Sequence, residues 1–251
     1  MFPEERQSEI CSLIEENGRV AVSDLAKRYD VTEDCIRKDL KLLASEGKCQ
    51  RVYGGATRME NIQERDINNR MTLRQPEKQV IAKKALQFVE PRQTVYLDIS
   101  STNVQLAQLI AASDVECTVV TPMVDILNAL AKSPNVTAIC PGGIMHGKLN
   151  SLLGAISLDG IKRFRFDAAF VGTYGVDIDA QEFTTYDTDD GLLKRAAIER
   201  AGKSYMLCES RKFSSIGSYH FASFSQFDAL IYDDENEAAA AQIREKGLEI
   251  L

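Results

Sequence analysis

One stretch, Val31–Gly47 (VTEDCIRKDLKLLASEG), constrains the chain more than any other. It carries both ends of a helix. Thr32 is suited to the N-cap, Glu33 and Asp34 put negative charge in the first turn, and Gly47 can end the helix in a left-handed conformation. Ile36, Leu40 and Leu43 recur at helical spacing and mark a buried stripe. Arg37, Lys38, Lys41 and Ser45 fall on the other face. A helix apolar on one side and basic on the other can rest on a small core while facing an anionic groove.

The flanking residues give this helix a setting. Glu4–Glu16 reads as a helix with Ile10, Leu13 and Ile14 as its core face and an acidic exterior. Val20–Val22 is long enough only for a short strand. Ser23 is placed to cap a second helix over Asp24–Tyr29, and Asp30–Val31 turns into the helix above. Helix, short strand, helix, turn, helix is the order of a helix-turn-helix unit. After Gly47, Lys48–Tyr53 alternates and ends at Gly54–Gly55. It is expected to pair with Val20–Val22 as a two-stranded wing, with Lys48 and Arg51 near phosphates and Tyr53 near the duplex surface.

Charge agrees with a local role. The chain of 251 residues has a net charge of −7, which excludes a protein that coats nucleic acid with its whole surface. Yet Cys35–Arg58 holds six basic residues against two acidic ones. A hydrophobic content of 44% and a charged content of 27% are ordinary for a globular protein. No apolar run is long enough to span a membrane and the N-terminus lacks signal-peptide features, so a cytoplasmic protein with no membrane association is expected. Six scattered cysteines and two histidines point to neither a zinc site nor a disulfide framework.

The run VTEDCIRKDL followed by RVYGGA resembles the N-terminal signature of the DeoR family of bacterial transcriptional regulators, which is close to VSxxTIRRDL and then RxHGGA. Val31, Thr32, Ile36, Arg37, Asp39, Leu40, Arg51, Gly54, Gly55 and Ala56 match. Cys35 stands where threonine is usual, and Tyr53 where histidine is usual. The resemblance implies a winged helix-turn-helix over residues 1–57 that binds double-stranded operator DNA. By motif geometry the candidate contacts are Thr32, Glu33, Asp34, Cys35, Arg37, Lys38, Lys41, Arg51 and Tyr53. Asp39 is expected to orient Arg37 or a neighbouring segment instead.

Residues 58–75 have few apolar side chains and no period, and read as a linker closed by Pro76 at the start of a helix. From residue 76 to 251, strand and helix patterns alternate. Strands are expected at Thr94–Asp98, Cys117–Thr121, Val136–Cys140, Ala168–Thr173, Ser204–Cys208 and Ala229–Tyr232. Helices are expected at Pro76–Phe88, Asn103–Ala112, Pro122–Ala131, Leu192–Ala201 and Asn236–Lys246. Together they give an α/β domain with a mostly parallel sheet covered on both faces. Ligands of such sheets bind outside the carboxyl ends of the strands. There lie Asp98-Ile99-Ser100-Ser101-Thr102, Pro141-Gly142-Gly143, Gly172–Gly175 and Glu209–Phe213. Hydroxyls, glycines and a helix N-terminus suit a small anion.

These loops also resemble the DeoR-family C-terminal domain, with Ser100 in place of a glycine, Thr121-Pro122 in place of Thr-Asn, and Asp190 and Glu209 exchanged for the other acid. The resemblance implies a ribose-phosphate isomerase-like fold and a sugar-phosphate effector, with no other cofactor and no metal. Carried over as ligand-binding positions are Asp98, Ser100, Ser101, Thr102, Gly142, Gly143, Gly172, Gly175 and Lys212, with Lys212 as phosphate counter-ion. Thr121, Asp190 and Lys194 are second choices, and Arg70 and Lys78 are placed to bridge the two domains. The expected function is a repressor of a carbohydrate or sugar-alcohol operon, nearest in sequence to glucitol-type regulators, acting as a homodimer or homotetramer. The rival is a sugar-phosphate isomerase with a DNA-binding module. It needs a carboxylate poised beside the substrate carbon, and no paired motif fixes one.

Overall fold

The computed structural model describes residues 3–52, 54–58 and 66–251, and the chain divides into two compact units, residues 1–62 and 63–251. In the first unit α1 (Pro3–Asn17) leads into β1 (Arg19–Ala21), α2 (Val22–Tyr29), α3 (Glu33–Ser45), β2 (Cys49–Val52) and β3 (Gly55–Arg58). Ile10 and Ile14 of α1, Leu25 of α2 and Ile36, Leu40 and Leu43 of α3 bury together as its core. Each of these residues recurs on one face of its helix, so three amphipathic stripes close on one another.

Two expectations are corrected here. Ser23 does not cap α2, which starts one residue earlier at Val22 behind Ala21, and the Ser23 hydroxyl instead donates to Asp24. The wing has three strands in the order β1-β3-β2, so the partner of Val20 is Ala56 and not the segment 48–53. Gly55 explains the arrangement. A Cβ there would lie 1.9 Å from the Val20 carbonyl oxygen, so only glycine allows β3 to approach β1.

The second unit adds α4 (Ile67–Thr72), α5 (Gln75–Leu86), β4 (Thr94–Leu97), α6 (Ser101–Ala112), β5 (Cys117–Val120), α7 (Val124–Leu130), β6 (Val136–Ile139), β7 (Ile144–His146), β8 (Ser151–Leu153), α8 (Ala155–Lys162), β9 (Phe166–Gly172), β10 (Gly175–Asp177), β11 (Glu182–Thr185), α9 (Thr188–Glu199), β12 (Ala201–Cys208), β13 (Tyr219–Ser223), β14 (Ala229–Tyr232) and α10 (Glu237–Glu245). Six strands form one sheet, β14-β12-β9-β4-β5-β6, and every pairing in it is parallel. Val95, Leu97, Val119, Phe170, Met206, Leu207 and Ile231 are fully buried in it, as strands covered on both faces require.

The strand order places the site. From β4 the chain runs outward through β5 to β6, then returns to the other side of β4 for β9, β12 and β14. The order reverses between β4 and β9. Crossovers leave that point in opposite directions and open a crevice at the carboxyl ends of those two strands.

A smaller antiparallel sheet, β10-β11-β13, and the hairpin β7-β8 complete the unit. The stretch 58–75, expected as a linker, contains regular structure. β3 runs to Arg58, α4 is a helix capped by Asp66, and its Ile67 is fully buried in the second core. Pro76 takes the second helical position rather than the first, because Arg74, in a left-handed conformation (φ 49°), caps α5. Pro122 lies ahead of α7, which Met123 caps.

Candidate functional site: a recognition helix and a strand-end crevice

In the first unit, the side chain of Thr32 accepts a hydrogen bond from the Cys35 N–H at 3.3 Å, which starts α3 as a capping threonine should. Gly47 (φ 72°) follows its last turn. Glu33, Asp34, Arg37, Lys38 and Lys41 are all exposed along the helix, and Arg51 is exposed on β2. A groove of about 430 Å³ runs between them, lined by Val22, Ser23, Glu33, Arg37, Arg51 and Val52 among others. Arg37 donates to Glu33 at 2.5 Å and to Asp34 at 2.7 Å, one turn back on its own helix. Tyr53 lies outside the described residues.

Asp39 is not a partner of Arg37. It is buried and accepts from Arg6 Nε at 2.7 Å and from Gln7 Nε2 at 2.8 Å, which ties α3 to α1. The Asp39 carboxylate, both by hydrogen bond and by charge, holds the Arg6 guanidinium above its ordinary range. A second N–H of Arg6 reaches Cys35 Sγ at 3.3 Å, so Cys35 is half-buried and turned towards α1. Arg6 was not legible as a structural residue. Its only signal is a single base in an otherwise acidic helix.

In the second unit the crevice between β4 and β9 is built around Asp98, which is fully buried. One of its oxygens accepts from Asn103 Nδ2, and the other accepts from the Gly172 N–H at 2.9 Å and from Lys194 Nζ. Lys194 also pairs with Asp190 at 2.8 Å, and Asp190 accepts from Thr185 Oγ1 at 2.9 Å. Burial opposes the charge on Lys194, but the carboxylates of Asp190 and Asp98 more than offset it and raise its pKa. Burial pushes the Asp190 carboxyl upward, with Lys194 acting against it.

Ser100 caps α6 by accepting from the Asn103 N–H at 3.2 Å, and Ser101 and Thr102 form the buried first turn. Gly172 faces Ser100 so closely that a Cβ would lie 2.8 Å from the serine's Cβ. Lys212 sits in a 3-10 turn, Ser210–Ser214, and donates to the Thr173 carbonyl at 2.8 Å, with Glu209 3.9 Å away. Burial lowers its pKa, with Glu209 acting against that. Burial also pulls Glu209 upward, but Lys212 and Arg211 prevail and its pKa is lowered.

The predicted residues therefore fall into groups. Asp98, Ser100, Ser101, Thr102, Gly172, Asp190 and Lys194 converge, and Lys212 joins them through Thr173, the neighbour of Gly172. Gly175 packs instead on the backbone of Ser215, and Gly143 on that of Leu153. Gly142 lies against Ile156. Thr121 is buried and its hydroxyl accepts from the Met123 N–H at 3.2 Å. Lys78 is buried within this unit and donates to the carbonyls of Arg70 and Leu73, each at 2.5 Å. Asn103 was missed, although a polar residue three positions after a capping serine is the signal for it. Its Oδ1 is buried without a hydrogen-bond partner.

Both units match family models. The DeoR-like helix-turn-helix domain matches residues 6–61, and the DeoR C terminal sensor domain matches residues 73–234. The chain belongs to the DeoR family of transcriptional regulators. Among its relatives, the HTH-type transcriptional regulator GolR of Listeria innocua is 30% identical, over 100% of this chain and 98% of its own. The L-fucose operon activator of Haemophilus influenzae is 28% identical over 91% of each chain. The glycerol-3-phosphate regulon repressor of Escherichia coli is 26% identical over 95% of this chain and 94% of its own. These relatives are regulators and not enzymes. Ribose 5-phosphate isomerase A of Methanocaldococcus jannaschii aligns with 54% of this DeoR-family chain and 52% of its own, at 13% identity and a TM-score of 0.40, a weak likeness. Among the described residues of this regulator no helix is long and apolar enough to cross a membrane.

Proposed function

We propose that this regulator represses a carbohydrate or sugar-alcohol catabolic or transport operon, as a homodimer or homotetramer, under control of a sugar phosphate. Arg37, Lys38 and Lys41 on α3 and Arg51 on the wing supply contacts to the phosphates and base edges of double-stranded operator DNA. Thr32, Glu33, Asp34 and Cys35, at the start of α3, and Tyr53 complete the candidate surface. The sugar phosphate binds outside the carboxyl ends of β4 and β9, where Ser100, Ser101 and Thr102 open α6 and Lys212 supplies positive charge. The observation that supports this reading is the reversal of strand order between β4 and β9, beside which ligands of such sheets bind, with the Ser100–Thr102 hydroxyls at the start of α6 and Lys212 bonded to Thr173 at the same strand ends. The names of the relatives, which include regulators of L-fucose and glycerol-3-phosphate genes, agree with a sugar-derived effector. Such a ligand regulates only by binding one domain arrangement more tightly than another.

The test is operator binding by fluorescence anisotropy, using duplexes from the intergenic regions beside the protein's own gene and a panel of hexose, pentose and hexitol phosphates. Sequence-specific binding that one of these phosphates weakens is expected. Lys212→Ala and Ser101→Ala should keep DNA binding and blunt that response. A normal response in both variants would move the pocket elsewhere.

A further inference from the structure

β6 is the free edge of the six-stranded sheet. Its ladder to β5 uses Asn135 and Ile139, which accept from Cys117 and Thr121, and by alternation Thr137. Val136 and Ala138 therefore turn their N–H and C=O groups outward, away from β5. Proteins commonly guard such an edge with charge. Here, from Ser133 to Leu158, Lys148 is the only acidic or basic side chain apart from His146, in a chain that is 27% charged.

The same stretch holds the three most exposed large apolar side chains among the described residues: Ile144 at 73%, Ile156 at 65% and Met145 at 52%. Ile144 and Met145 are successive in β7 and so point to opposite faces of the β7-β8 ribbon, which leaves both faces uncovered. The loop Pro141–Gly143 joins this edge to the ribbon, and Ile156 lies against that loop, beside Gly142.

We propose that this surface, centred on Thr137 and flanked by Ile144, Met145 and Ile156, is where two copies of this chain associate. A two-fold interface sets a patch against itself, so any strong charge in it meets a like charge. This stretch, whose charges are Lys148 and the His146–Asp187 pair, carries little of that penalty. The register fits as well. With the axis at Thr137, Val136 of one copy lies opposite Ala138 of the other, and each exchanges N–H and C=O with its opposite. The two threonines then form a close cross-strand pair. Pro134 and Pro141 bound the strand and limit it to this short pairing instead of open-ended addition. The inference rests on the reading of the chain as a multimeric regulator and names the surface involved.

Sedimentation of the full-length protein tests it. Ala138→Pro removes only an outward N–H and is compatible with an edge strand. Ile144→Lys with Ile156→Lys adds charge at exposed positions. Each variant should weaken self-association about ten-fold or more while keeping the wild-type circular dichroism. A monomeric wild type, or association untouched by both variants, would overturn the proposal. Operator binding is measured on the same samples. If the wild type associates through this face but binds no operator, the regulator reading fails and this one stands.

Discussion

Arg6 donates through Nε to Asp39 at 2.7 Å, and their side chains are only 7% and 5% exposed. This pair joins the first helix of the chain to the inner face of α3, so the pose of the recognition helix depends on a residue that does not line the groove. Removing one partner leaves a buried charge uncompensated, which costs about 3 kcal/mol. Arg6→Ala should therefore destabilise the winged helix by that order and weaken DNA binding, although Arg6 is buried against α3. Urea unfolding followed by circular dichroism, alongside anisotropy, measures both. Wild-type stability in Arg6→Ala would remove the pair as a support of α3.

Arg37 presents a different case, because both of its acidic partners lie on its own exposed helix face. Exposed pairs of this kind are worth under about 1 kcal/mol, so DNA can compete for the arginine. The acids nevertheless lower the positive potential of the face. Glu33→Gln with Asp34→Asn should tighten binding to a non-cognate duplex by about three-fold at low salt and steepen its salt dependence. Arg37→Ala should do the reverse. If the double variant binds non-cognate DNA as the wild type does, the clamp has no bearing on affinity.

Lys78 gives the second unit a pH signature. Burial, opposed in part by Glu209, lowers its pKa to about 8 from an ordinary 10.5. Between those values the unfolded chain holds a proton that the folded chain has released, so this group's contribution to stability rises with pH from about 8 to about 10.5. The full gain is about 3 kcal/mol. Buried cysteines act in the opposite sense, since burial pushes the Cys208 thiol up to about 12 and stability from that source falls above the ordinary thiol range. Lys78→Met isolates the lysine. Wild-type stability relative to this variant should climb from pH 8 to pH 10, read from urea midpoints at each pH. A constant difference would mean that Lys78 keeps its proton throughout.

The parts of this architecture that sequence revealed are those fixed by neighbours in the chain. The cap at Thr32, the stop at Gly47 and the apolar strands of the parallel sheet all follow from local spacing, whereas α6 begins two residues before the expected Asn103, behind Ser100. The wing partner was misread because β3 carries little apolar signal, and its place is set by a glycine contact with Val20. The β7-β8 hairpin and the β10-β11-β13 sheet were unread for a related reason, since strands of three to five residues outside the strand-helix alternation show no usable period. Local spacing also fails for Arg74, which donates to Glu235, pairs with Glu77 and Glu209 and lies 3.9 Å from Asp233. Most of those partners are distant in sequence, and only the folded sheet brings them to one arginine.

The ion cluster in the crevice leads to the last prediction. Asp98 meets Lys194, the Gly172 N–H and Asn103 with no exposed surface, and Lys194 is balanced by Asp98 and Asp190 together. Asp98→Asn leaves Lys194 with Asp190 alone, while Lys194→Met leaves two buried carboxylates near each other. Each single change should cost about 3 kcal/mol. The double variant should cost clearly less than the sum of the two, because Asp190, whose carboxyl burial already pushes upward, can then take a proton and remain hydrogen-bonded to Thr185. A coupling of at least about 1 kcal/mol is expected from a double-mutant cycle on urea unfolding. Additive costs would mean that Asp98 and Lys194 are held independently, and the crevice would then owe its shape to the Gly172–Ser100 contact rather than to this pair.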